Sequence, residues 1–195
     1  EVEEIMSTEK SYLSTLRLPF TLALTLFTAS TITGYALGGA VAPQLFEMLR
    51  ETFGGIAELP PLTLLAIIFL NNAAKSLAAL ILGLLLGIPS LLFIILNGAI
   101  IGIITYEVSI TYGFPFVFAA LLPHGIFELP AVLLSAAVGI KLGLKVLSRF
   151  KGETGLKKEL QNGVRFFATR IIPLLLIAAV IEVFVTPLVV YLLSQ

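Results

Sequence analysis

The chain has 195 residues, 58% hydrophobic and only 12% charged, with no formal net charge and a mean hydropathy of +1.05. A soluble domain carries roughly a quarter charged residues, so this chain has too little charge to solvate a globule, and no basic excess points to nucleic acid. The absence of cysteine excludes disulfides, thiolate metal sites and cysteine nucleophiles together.

Residues 1–16, EVEEIMSTEKSYLSTL, are too polar for the apolar core of a signal peptide. The first residue is not Met, which leaves open whether residues precede Glu1. Roughly 20 apolar residues cross a bilayer core, and the first such run is at about 18–42, entered through Pro19. The next stretch, PQLFEMLRETFGGIAELPP (43–61), sets Leu45, Phe46, Leu49 and Phe53 at helical spacing. Residues 43–53 therefore read as an interfacial amphipathic helix, ended by Gly54 and Gly55.

A second span is expected at about 62–87, closing at GIPS (87–90), a tight turn whose Ser90 is placed to cap a third span of about 90–106. EVSITYGFP (107–115) reads as a short polar connection before a fourth span at about 116–140. KLGLKVLSRFKGETGLKKELQNGVR (141–165) reads as the one water-soluble segment, and a fifth span of about 166–193 carries Pro173, Glu182 and Pro187. The expected fold is an all-α, polytopic integral membrane bundle. It has about five transmembrane helices and the interfacial helix, in one domain over 1–195.

Lys and Arg near the spans set orientation. Five spans put Lys10, Arg17, Lys141, Lys145, Arg149, Lys151, Lys157, Lys158 and Arg165 on one side and Arg50 on the other. The expectation is a cell-membrane protein with its N-terminus and 141–165 in the cytoplasm and its C-terminus outside. The basic loop is also placed to meet anionic lipid or a partner. Gly-x-x-x-Gly recurs at Gly34/Gly38, Gly83/Gly87, Gly98/Gly102 and Gly139/Gly143. Such pairs let helix backbones approach closely, more simply within one chain than in a homo-oligomer.

Polar residues then stand out by depth. Lys75, Asn97, Glu128 and Glu182 fall near the centres of spans two to five. Asn71 and Asn72 lie about a turn from Lys75, and His124, the only histidine, lies a turn from Glu128. Each charge at this depth costs at least about 2.5–3.5 kcal/mol. The simplest arrangement is therefore a shared interior cluster in which Lys75 pairs with Glu128 or Glu182. If Lys75 neutralises one carboxylate, the other must meet His124 as a cation or take up a proton itself, a candidate proton switch.

Pro123 and Pro130 withhold backbone donors from the carbonyls of Ala119 and Ile126 and are expected to bend span four around the His124/Glu128 pair. The simpler reading makes the cluster a network that fixes helix register. No His-Glu-x-x-His or Gly-x-Ser-x-Gly motif is present. Ser135 is eleven residues along the same helix from His124, which leaves Ser30 and Ser76 as the open hydroxyl partners, and an enzyme is not expected. No cofactor is predicted, although His124 and Glu128, with oxygen from Asn71 or Asn72, form a weak candidate metal site.

The segments LNNAAKSL (70–77), NGAIIG (97–102) and PHGIFELPA (123–131) resemble the hallmark stretches of the stage II sporulation protein M family. His124, Gly125 and Glu128 carry the most specific part. The resemblance implies an all-helical membrane protein. In spore-formers it implies a membrane scaffold associated with peptidoglycan-degrading partners during engulfment. The leading expectation is therefore a scaffold or accessory protein with a cell-envelope partner, Glu128–Lys75 acting as an internal latch. The rival is a small transporter or channel component that uses Glu128 and His124.

Overall fold

In lipid an apolar run satisfies its backbone polar groups by folding as a helix. The computed structural model describes residues 12–55 and 59–193. After a helical turn at 12–15 come α1 (Arg17–Phe53), α2 (Pro61–Leu82), α3 (Ile88–Tyr112), α4 (Phe114–Arg149), α5 (Leu156–Phe166), α6 (Ile172–Phe184) and α7 (Thr186–Leu193). No strand occurs among the described residues. The last three helices follow one another as a continuous segment, so five helices are long and apolar enough to cross a membrane. A π turn at Phe167–Ile171 links α5 to α6. There the Ile172 N–H donates to the Phe167 carbonyl, just ahead of Pro173, which has no N–H to offer.

Several boundaries differ from the sequence expectation. α1 continues through Pro43, so 43–53 prolongs the first span instead of forming a separate interfacial helix. The proline removes one backbone bond, to Gly39, and helical spacing resumes on either side. Positions 56–58, the Phe53 side chain and Lys10 lie outside the described residues. Ser90 does not cap α3: the helix starts at Ile88 after left-handed Leu86 and Gly87 (φ 58° and 78°). Ser90 is buried, and its hydroxyl donates to the Ala79 carbonyl at 2.7 Å. α3 runs on to Tyr112, so most of 107–115 is helical.

The segment 141–165 is also mostly helix, and its Lys141 and Lys145 find partners both within it and on the N-terminal turn. Lys141 Nζ donates to Thr15 Oγ1 at 2.7 Å, pairs with Glu159 at 2.7 Å and sits 4.3 Å over the Tyr12 ring. Tyr12 packs on Phe166, and burial, with the charge of Glu159, pushes its phenol pKa upward. Lys145 reaches Glu153 at 3.0 Å and holds that carboxyl below the usual carboxylate range.

α4 is the central helix and touches all the others. One side of its second half (Ala131, Val138, Leu142) joins a core with Leu80, Phe166 and Leu175. Another (Val132, Leu133, Ala136, Ile140) joins a core with Ala23, Phe27 and Ile94. Close approach comes from the paired glycines, each set against a neighbouring segment inside the chain. Gly34 lies against Ala99, and Gly98 and Gly102 against Phe27, Ser30 and Thr31, where α1 and α3 pack most extensively. Gly83 lies on Gly139, and Gly143 on Gly87. Lipid offers no hydrophobic drive between helices, so such contacts carry the packing.

Candidate functional site

The first half of α4 does not pack this way. There α2, α3, α4 and α6 leave a cavity of about 650 Å³. Six of the seven residues expected to cluster line it: Asn71, Asn72, Asn97, His124, Glu128 and Glu182. Apolar side chains such as Phe27, Ile68 and Leu129 complete the wall. The seventh, Lys75, is absent from the lining and exposed. It belongs to none of the ion pairs within 4.0 Å among the described residues. α2 stops at Leu82, seven residues beyond Lys75.

The acidic centre is built by antiparallel register. His124 and Glu128 are one turn apart on α4, with Nε2 to Oε2 at 4.0 Å. Glu182 and Thr186 are one turn apart on the last span, running the other way. Thr186 Oγ1 lies 3.4 Å from His124 Nδ1, and one donor atom each of His124, Glu128 and Glu182 falls within 4.8 Å of the others. The side chains of His124 and Glu128 are 15% and 27% exposed, so the site is neither sealed nor on the surface.

Sequence reasoning missed Thr186. Its signal was there, four residues after Glu182 and directly before Pro187, where the chain passes from α6 to α7. α4 continues as helix through Pro123 and Pro130. Ile126, whose carbonyl lacks the Pro130 donor, lines the cavity together with Pro130.

The asparagines differ in how they are held. Asn97 donates to the Phe93 carbonyl of its own helix at 2.7 Å, which leaves its side-chain oxygen for another donor or a cation. Asn71 donates to Asn72 Oδ1 at 3.4 Å. Among the described residues no serine lines the cavity. Ser135 instead donates to the Ser76 carbonyl at 2.5 Å and Ser30 to the Phe27 carbonyl at 3.0 Å, both in packed regions.

A family model described as stage II sporulation protein M matches residues 23–187, which include every residue of the cavity. The chain belongs to that family. An uncharacterized protein of the archaeon Methanocaldococcus jannaschii is 34% identical over 105 residues, 52% of this chain and 58% of that protein. The match thus spans little more than half of the relative. No solved structure matches the chain. Membership and five apolar helices make it a stage II sporulation protein M-like membrane protein.

Proposed function

We propose that the protein binds a small charged or polar solute in the cavity and passes it through the membrane, as a transporter or channel component. The observation that carries this reading is the convergence of Asn71, Asn72, Asn97, His124, Glu128 and Glu182, from four spans, on one cavity. A dry register-fixing network would pair these groups with one another. Here Glu182 has no hydrogen bond or ion pair within 4.0 Å among the described residues, and Lys75 stands apart. Polar groups inside a membrane that face a cavity mark solute pathways. The orientation that goes with this reading puts the basic N-terminal side in the cytoplasm.

The scaffold reading draws on another feature. α1 has 37 residues, about 55 Å of helix against a hydrocarbon core of about 30 Å. Its end, with exposed Glu47, Met48, Arg50 and Glu51, offers a cell-envelope partner a surface outside the bilayer. The internal latch in that reading, Lys75 on Glu128, lacks its ion pair.

The cysteine-free sequence supplies the test. Single cysteines at Asn71, Asn97 and Gly125, with Ala136 as a buried control, would be exposed in vesicles to a membrane-impermeant thiol reagent from each side. Solute access predicts fast labelling of the cavity positions from at least one side. Labelling as slow as at Ala136 would mean a dry cluster and would end the transport reading.

A further inference from the structure

We propose that His124, Glu128 and Glu182 form a binding site for a divalent transition-metal cation such as Zn²⁺, Mn²⁺ or Co²⁺. The inference rests on the solute-binding reading of the cavity and names the class of solute. Four features of the geometry support it, beginning with the donor set. One imidazole nitrogen and two carboxylate oxygens come from two packed helices, all within 4.8 Å of one another. A point at the centre of such a triangle is at most about 2.8 Å from each corner, against about 2.0–2.2 Å for bound Zn²⁺. Rotation of the two glutamate side chains closes that gap.

The second feature is the histidine ring. Its Nδ1 faces Thr186 Oγ1 at 3.4 Å, while Nε2 lies 4.0 Å from Glu128 Oε2. The tautomer that donates from Nδ1 to Thr186 leaves the Nε2 lone pair toward the centre of the site. Metal-binding histidines are held this way, by an oxygen on the ring nitrogen away from the metal. Thr186 is therefore a positioning residue.

Charge is the third. Two carboxylates share a membrane-depth cavity in which neither has a Lys or Arg within 4.0 Å among the described residues. One divalent cation cancels both. The fourth is room and class: about 650 Å³ holds an ion with several waters, each taking about 30 Å³, and Asn97 offers a further oxygen. Imidazole in the set favours transition metals over Mg²⁺ and Ca²⁺, which prefer all-oxygen shells.

The test is titration of the purified, chelator-stripped protein in detergent with Zn²⁺ by calorimetry, with Mg²⁺ as comparison and Co²⁺ absorption to report ligand geometry. The expected result is one Zn²⁺ per chain, with Mg²⁺ much weaker. Glu128→Gln and Glu182→Gln should each abolish stoichiometric binding while eluting as folded protein. Thr186→Ala should weaken Zn²⁺ about 10–100-fold, and Thr186→Ser should restore it. Absence of stoichiometric Zn²⁺, equal affinity for Mg²⁺, or unchanged binding in both glutamine variants would overturn the proposal. Thiol labelling keeps the two claims apart. A cavity that labels but takes no metal serves another solute, whereas one that neither labels nor binds metal loses both readings.

Discussion

The two halves of α4 lie on one continuous helix and follow opposite rules. From Ala131 to Gly143 every residue except Leu134 and Lys141 is buried. The sequence there is rich in Ala, Ser and Gly, so neighbouring backbones close in and small hydroxyls bond across helices. From Phe114 to Pro130 only Val117 and Ala119 are buried. Pro123, His124, Glu128 and Pro130 occupy the part of it that borders the cavity. In a membrane, where apolar contact alone gains little over lipid, the packed half supplies stability. The open half is then free to carry chemistry that a packed helix could not hold.

The same substitution at two glycines breaks or sharpens this contrast. A Cβ added at Gly139 falls on the Ser90 hydroxyl and the Ala79 carbonyl, and overpacking of this kind costs about 1–3 kcal/mol. Gly139→Ala is therefore expected to lower the melting temperature in detergent by the largest margin and to reduce the folded yield. A Cβ at Gly125 meets nothing within 4 Å. There the gain in helix propensity is about 0.5–1 kcal/mol, so Gly125→Ala should melt at the parent temperature or a little above. Equal destabilisation at the two sites would erase the distinction between the halves.

Much of this was legible in the sequence and some was not. Five apolar runs gave five spanning helices, since length and hydropathy alone decide that. The mid-span polar residues stood out because membrane depth makes them costly, and six of them line one cavity. Helix ends were harder to read. Lys141 and Lys145 looked solvated, yet Thr15, Glu159 and Glu153 receive them, and helix continues where a loop was expected. Ser90 looked like a cap and serves as a cross-helix donor. Depth, and the helix face that it shares with Asn71 four residues before it, put Lys75 in the expected cluster. Neither fixes where a long side chain runs, and Lys75 lies exposed outside the cavity that Asn71 lines. Thr186 escaped notice because a threonine beside a proline carries no charge to mark it.

On the solute-binding proposal, the polar residues of the cavity are kept for a ligand, not for the fold. A double-mutant cycle tests it most directly: thermal unfolding in metal-free detergent of Lys75→Met, Glu128→Gln and the pair together. With no ion pair between them, the account predicts single variants close to the parent and a coupling below about 0.5 kcal/mol, within the additivity of independent sites. Strong destabilisation by each single change, recovered in the double variant, would make Lys75–Glu128 a structural latch and contradict the account.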